Sequence, residues 1–243
     1  MTLAEMLAGL FPAGHDVVTR PDHLILGTGR RANGSSVEVI GIADGEALGI
    51  AGVLPLSARV LDVVAVGGSA PILVLVDTQG QLMSRRDEML GLNEYLAHLT
   101  KCLLLASHGG HPTIGLNYGK AVAGAFLATA LATDILVALP DASPAVMDLP
   151  SMARVTKLPI ERLTELSKTT PVFSPGLASM VAVGAVAEVW DPAKPLADQL
   201  EATLAAVPTR DMRDELGAER GGRRLAADIA LRVARQASGV HHA

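Results

Sequence analysis

Two short stretches of small and polar residues each follow an apolar run that is typical of a buried strand. The first, Asp77 to Gln81, follows Ile72 to Val76, and the second, Asn117 to Gly124, follows Thr113 to Leu116. The second stretch leads into a predicted helix from about Ala123 to Leu131, whose first backbone N–H groups have no partner within the helix. Those groups carry the positive end of the helix dipole and suit a phosphate, a carboxylate, or a thioester oxygen that becomes negatively charged. The alternative is a tight turn whose small residues serve packing alone.

Strands alternating with helices must position these two turns. The run ILVLV at Ile72 to Val76 is typical of a strand covered on both faces, and a long helix predicted over 86–107 separates it from the next strand. The alternation, with no repeat or linker, predicts one α/β domain over 1–243 with C-terminal helices from about 195. In such a sheet the carboxyl ends of parallel strands gather at one edge, where ligands bind. We therefore expect the two turns side by side, with N–H groups from both facing one oxygen.

Composition narrows the class of protein. With 49% hydrophobic residues the chain can bury a sizeable core, and with 2% aromatic residues that core must be mostly aliphatic. The net charge of −5, without a basic block interleaved with aromatics, argues against a nucleic-acid-binding protein. The single cysteine, Cys102, provides neither a disulfide framework nor a cysteine metal site. The His241-His242 pair lies next to the C-terminus, where a frayed tail is expected rather than a metal site. We expect no bound metal.

Neither the N-terminal residues nor the most apolar segment of the chain predicts a membrane protein. The N-terminal residues MTLAEMLAGLF carry an acid and no basic region, so they do not resemble a secretory signal. Ala121 to Leu139 is long enough to resemble a membrane span, but it is rich in Ala and Thr and contains Asp134. We interpret it as the buried interior of an α/β protein, and we expect a cytoplasmic location with no membrane contact.

The order and chemistry of the two turns resemble those of the crotonase superfamily, within its carboxyltransferase branch. Val76-Asp77-Thr78-Gln79-Gly80 is similar to a VDTPG-like motif with Gln79 in place of proline. The segment from Gly119 to Phe126, GKAVAGAF, is similar to a KAYGGAY-like or GEGGSGGA-like motif with Ala123 in place of one glycine. The resemblance covers about residues 71–190. It implies a crotonase/ClpP-like fold of stacked, repeated ββα units with a helical C-terminal region.

Within that branch the chain resembles the gamma subunits of malonate decarboxylase. Its size is similar, as are the segments SMARVT at 151–156, the short acidic helix from Pro159 to Lys168, and Thr170-Pro171-Val172. The resemblance implies a biotin-independent complex in which a gamma and a beta subunit decarboxylate malonyl-S-acyl-carrier protein to acetyl-S-acyl-carrier protein and CO2. It also implies that no cofactor binds directly, because the carrier protein's phosphopantetheine-type group holds the substrate. The expected partners are the beta subunit and the carrier protein.

The resemblance also indicates which residues would act. Main-chain amides of the two turns would stabilise the negative charge on an oxygen, at Gly80, Gln81, Ala123 and Gly124. Side chains near the second turn are candidates for substrate binding, each with a structural alternative: Tyr118, Lys120 and Arg154. Asp77 is expected to cap or turn its own loop rather than act as a base. The sequence does not identify the proton donor or the oligomeric state, and it does not decide whether the amides contact the enolate or the leaving carboxylate.

Other functions remain open at this point. The chain could be a carboxyltransferase subunit of a biotin-dependent acyl-CoA carboxylase or decarboxylase, with the same turns binding the biotin ring. A second alternative is a non-catalytic scaffold subunit that supports its partner's active site. A serine peptidase of the Clp type shares the broad fold, but no serine follows the expected elbow and no paired His and Asp is evident.

Overall fold

The computed structural model describes residues 1–171 and 174–239. Val172, which belongs to one of the segments quoted above, and the His241-His242 pair lie outside that range. The strands within it are β1 (Val18–Thr19), β2 (Leu24–Arg30), β3 (Ser36–Leu48), β4 (Ile72–Gln81), β5 (Thr113–Val122), β6 (Ile135–Ala138), β7 (Ser143–Ala145) and β8 (Glu188–Val189).

These strands form one mixed sheet in the order β1-β2-β3-β4-β5-β6-β8, and β7 pairs with the far end of β5. The first two pairings, β1 with β2 and β2 with β3, are antiparallel. All pairings from β3 onward are parallel, so the carboxyl ends of β4 and β5 lie at the same edge. The α/β fold class is confirmed, and so is the placement of the two turns on neighbouring strands.

Helices cover both faces of the sheet and form much of the C-terminal region. The helices of the described segments are α1 (Leu3–Leu10), α2 (Ile50–Val66), α3 (Arg85–Met89), α4 (Leu92–His108), α5 (Ala123–Ala128), α6 (Leu149–Thr156), α7 (Ile160–Thr169), α8 (Leu177–Ala182), α9 (Leu196–Ala205), α10 (Arg213–Glu219) and α11 (Ala226–Ala237). A short 3-10 turn at Ala130–Ala132 follows α5. Within the described ranges, none of these helices combines the length and the apolar character needed to cross a bilayer.

The prediction of one continuous helix over 86–107 is wrong. The helix divides into α3 and α4 at Gly91, whose φ of 82° lies in the left-handed region that ends helices. In the C-terminal region, α10 and α11 are likewise separated at a glycine, since Gly221 has a φ of 76°. The next residue, Gly222, lies so close to α8 that a Cβ there would be 2.3 Å from the Ala182 carbonyl oxygen.

The core has two layers, one on each face of the sheet. One layer packs β3, β4 and β5 against α2, α4 and α5, and the other packs the opposite face against α1 and α9. Both layers are built mainly from Val, Leu, Ile and Ala, as the low aromatic content requires. The three parallel strands β3, β4 and β5 are therefore buried on both faces, which fixes the position of their carboxyl ends.

Candidate functional site

The two turns are in contact. Both continue the sheet beyond the predicted strand ends, because Thr78 pairs with Ala121 after a register shift in the β4–β5 ladder. A Cβ built on Gly80 would lie 3.5 Å from the Val122 carbonyl oxygen and 3.7 Å from Ala123 Cβ. Gly80 and Ala123 are therefore neighbours, as a site shared by the two turns requires.

Asp77 holds the second turn in place from the first. Its Oδ1 accepts a hydrogen bond from the backbone N–H of Lys120 at 2.9 Å. Gly119 leaves the room for this carboxylate, since a Cβ there would lie 2.3 Å from Asp77 Oδ1. The aspartate therefore joins the two turns, whereas it was expected to cap or turn its own loop.

Gln81 makes the second link between the turns. Its side-chain Oε1 accepts a hydrogen bond from the backbone N–H of Gly124 at 2.8 Å. A Cβ at Gly124 would lie 3.1 Å from that oxygen and 3.4 Å from Leu96 Cδ1. The N–H expected to face a ligand thus has a side-chain partner, and the Gln81 carboxamide lies directly over the start of α5.

The backbone at the start of α5 is strained. Ala123 has a φ of 52°, a conformation that costs a residue with a Cβ about 1–2 kcal/mol and that glycine adopts freely. Similar motifs have glycine at this position, so the structure explains that preference. Strain of this kind is often found where a backbone group must be aimed at a ligand.

The side-chain candidates do not gather at the turns. Tyr118 packs in the layer against α1 and α9, and its hydroxyl donates to the Ile42 carbonyl at 3.3 Å. Burial, together with the nearby charges of Asp77 and Asp44, raises the pKa of Tyr118 above its ordinary value, so the phenol stays protonated. The side chains of Lys120 and Arg154 are exposed and have no hydrogen-bond partner within residues 1–171 and 174–239.

An apolar groove of about 530 Å³ begins beside the second turn. Val122 pairs with Ala145, and the next residue, Val146, lines the groove. Its lining includes three methionines, Met147, Met152 and Met180, and one charged residue, Arg223. Methionine side chains adapt to irregular ligands, so the groove suits a mainly apolar chain with one anionic group.

The fold and the two facing turns define this chain as a crotonase-fold protein of the carboxyltransferase type, and its structural neighbours belong to that class. Residues 43–237 match the family described as malonate decarboxylase gamma subunit. The chain belongs to that family, as the sequence motifs indicated.

Individual relatives agree with this assignment. The chain is 33% identical over 180 residues to the malonyl-S-ACP:biotin-protein carboxyltransferase MADD of Malonomonas rubra, covering 68% of this chain and 62% of the relative's length. It is similar to a chain of a Pseudomonas malonate decarboxylase hetero-tetramer in complex with coenzyme A, with 25% identity, a TM-score of 0.76, and coverage of 96% of this chain and 97% of that chain. It is also similar to a chain of a Pseudomonas malonate decarboxylase MdcD-MdcE hetero-dimer, with 25% identity, a TM-score of 0.74, and coverage of 95% of this chain and 96% of that chain.

Proposed function

We propose that this chain is the gamma-type subunit of a biotin-independent malonate decarboxylase. With a beta-type subunit it converts malonyl-S-acyl-carrier protein to acetyl-S-acyl-carrier protein and CO2, as a single domain over 1–243. The observation that carries the proposal is the contact between the turns at Gly80 and Ala123, on neighbouring parallel strands. Family membership supports the malonyl substrate.

The reaction needs a site that stabilises negative charge on oxygen. The C–C bond to the carboxylate breaks, CO2 leaves, and the electron pair passes into a thioester enolate whose charge lies mainly on oxygen. A proton from water or a nearby acid then completes the acetyl group. Each preorganised N–H donor aimed at such an oxygen lowers the barrier by about 3 kcal/mol. The candidate amides belong to four residues of the turns: Gly80, Gln81, Ala123 and Gly124. Two of these N–H groups already have partners within the chain, because Gly80 donates to Thr78 Oγ1 at 3.2 Å and Gly124 donates to Gln81 Oε1 at 2.8 Å.

An exposed apolar surface on α6 and α7 supports the proposal of a beta-type partner subunit, in addition to the relatives. Helices α6 and α7 pack on each other, and in the part of the chain that the structure describes only Leu163 among their residues is buried. Val155, Leu158 and Ile160 remain exposed. A complex with a beta-type subunit, like the MdcD-MdcE hetero-dimer of Pseudomonas, would cover apolar surface of this kind.

The substrate assignment follows the chemistry of the relatives. MADD is named for malonyl-S-ACP, which is a thioester, and a Pseudomonas hetero-tetramer is in complex with coenzyme A, which is a thiol; both names indicate a pantetheine-type arm that ends in sulfur. The groove beside the second turn is large enough to receive part of such an arm. The chain then needs no cofactor of its own, and its reaction would take place in the cytoplasm.

A biotin-dependent carboxyltransferase subunit is the second candidate. The relative MADD favours it, because that protein is named for transfer to a biotin protein. The same two turns would then bind the biotin ring, and CO2 would pass to a carrier rather than leave. A non-catalytic scaffold would also assemble with a beta subunit, but substitutions at the turns would not change its rate.

The test uses the complex of this chain with a co-expressed beta-type subunit. We expect malonyl-S-acyl-carrier protein to yield acetyl-S-acyl-carrier protein and CO2 in equal amounts, with no loss of rate when avidin is added. A rate that requires a biotinylated acceptor and is blocked by avidin would support the carboxyltransferase instead. An assembled complex that releases no CO2 under either condition would refute the proposed function.

A further inference from the structure

The orientation of the Gln81 carboxamide is fixed by its partner. A backbone N–H can only donate, so the atom that faces Gly124 at 2.8 Å must be the oxygen, Oε1. The NH2 group therefore points away from Gly124. The side chain starts from a residue that is itself paired with Leu48 in the sheet, so both of its ends are held.

The NH2 group of Gln81 has no oxygen acceptor among the described residues. Its one polar neighbour there is the sulfur of Met83 at 3.7 Å, and a thioether is a weak acceptor. Met83 is 76% exposed and does not close the space around the amide. Apart from this weak contact with Met83, the NH2 group is unengaged among the described residues, and its direction is set by the bond from Gly124 to Oε1.

In this arrangement the donor offered to a ligand is the NH2 group of the Gln81 side chain, in place of the Gly124 backbone N–H. The Gly124 N–H does not face open space, since it orients Oε1 and thereby aims the NH2 group. A side-chain amide held in this way is a recognised kind of donor to an oxygen on which negative charge develops. Because its orientation is set before the ligand binds, little rearrangement is needed during the reaction.

We propose that the Gln81 side-chain NH2 donates a hydrogen bond to a carboxylate or enolate oxygen of the bound malonyl thioester. Gly124 then acts as a positioning residue through Gln81. This inference rests on the proposed function and adds to it a specific substrate-binding side chain. The earlier expectation for Gln81 concerned its main-chain N–H alone.

The sharpest variant is Gln81→Glu. It has nearly the same shape and keeps an oxygen for the Gly124 N–H, but it replaces the donor with a negatively charged acceptor. We expect kcat/KM of the complex to fall by about 100-fold or more. The loss should shrink by several-fold between about pH 8 and about pH 6, because a protonated Glu regains an O–H donor. A role confined to holding Gly124 predicts neither effect.

Gln236→Glu is the matched control. It introduces the same charge in α11, outside both turns, where the Gln236 side chain is exposed. We expect its kcat/KM to stay within about threefold of the wild type. Gln81→Met should lose activity without the recovery at low pH. Hydrogen exchange at Gly124 checks the fold, since the amide should stay protected in Gln81→Glu and lose protection in Gln81→Met.

Two results would overturn the inference. One is a Gln81→Glu complex within threefold of the wild type, and the other is a loss of activity that does not change with pH. Both require an active wild-type complex, so failure of the inference is distinct from failure of the proposed function. If the wild-type complex itself releases no CO2, the proposed function is refuted, and this inference with it.

Discussion

Adding a side chain at Gly124 tests the junction of the two turns directly. The Cβ of an alanine there would lie 3.1 Å from Gln81 Oε1 and 3.4 Å from both Gln81 Cδ and Leu96 Cδ1. That space is too tight for the present position of the carboxamide, which must shift by a few tenths of an ångström. A valine adds two more carbons in the same space, and its β-branched side chain has little freedom to turn away.

The magnitude follows from two opposing effects. Alanine is favoured over glycine in a helix by up to about 1 kcal/mol, which offsets much of the steric cost of Gly124→Ala. We therefore expect its free energy of unfolding to stay within about 1 kcal/mol of the wild type. Losing one aligned donor to an oxyanion costs about 10²–10³-fold in rate. We expect a loss in that range for Gly124→Val and about tenfold for Gly124→Ala, whose carboxamide is displaced but retained.

The assay measures CO2 released from malonyl-S-acyl-carrier protein by the complex, with assembly checked by size-exclusion chromatography. Gly9→Ala is the control, because Gly9 also lies in a helix and its added Cβ would meet only a flexible side chain, with Leu196 Cδ1 at 3.3 Å. We expect this control to match the wild-type rate. Unchanged turnover in an assembled Gly124→Val complex would remove the junction from consideration as the site.

Three further changes test other contacts. Gly119→Ala should displace Asp77, because the added Cβ would lie 2.3 Å from Asp77 Oδ1. We expect the free energy of unfolding, measured by chemical denaturation, to fall by about 1–3 kcal/mol and the rate of CO2 release to fall as well. Unchanged stability would contradict the link between Asp77 and the second turn. Arg31 forms a two-point ion pair with Glu201, and this pair lowers the pKa of the Glu201 carboxyl in the folded chain. The stabilisation by the ion pair is therefore fully present above the pKa of an unfolded glutamate, about 4.3, and is lost as the pH falls through the lower pKa of the folded state. Arg31→Met should therefore destabilise the chain by about 1 kcal/mol or less near neutral pH, and the difference should shrink as the pH falls and Glu201 becomes protonated. A difference that does not shrink in acid would refute the assignment. Tyr118→Phe should change KM by less than about twofold, since the hydroxyl faces the Ile42 carbonyl; a tenfold rise would show that it reaches the substrate.

The sequence predicted the parts of the fold that depend on local patterns. The run at Ile72 to Val76 is apolar at every position, and such a run becomes a strand buried on both faces, here within β4. The order of strand, turn and helix was enough to place the two turns on neighbouring strands. The resemblance to the gamma-subunit family was based on motifs at these same turns, and the family match over residues 43–237 confirms it.

The helix ends were harder to predict, because a glycine within an apolar helical pattern has two meanings. Gly91 ends a helix through its positive φ, but in sequence it resembles a tolerated interior glycine. Likewise, the pairing of Thr78 with Ala121 extends β4 and β5 past residues that are typical of loops. Tertiary pairing overrides local preference in both strands.

No local sequence pattern predicts the hydrogen bonds that join the two turns. The bonds from Asp77 to Lys120 and from Gln81 to Gly124 each join residues 43 positions apart. Their partners are backbone N–H groups, which every residue except proline possesses, so residue type does not reveal them. Only the three-dimensional structure identifies the Gln81 side chain as a candidate group.

A malonyl thioester that binds where the two turns meet must change the surroundings of their amides. This is measured by an NMR titration of the complex, with this chain ¹⁵N-labelled at glycine, using a malonyl-thioester analogue that cannot lose CO2. We expect the amide signals of Gly80 and Gly124 to shift most, while those of glycines outside the turns, such as Gly9 and Gly34, stay in place. Saturable binding of the analogue without shifts at Gly80 and Gly124 would show that the thioester binds elsewhere.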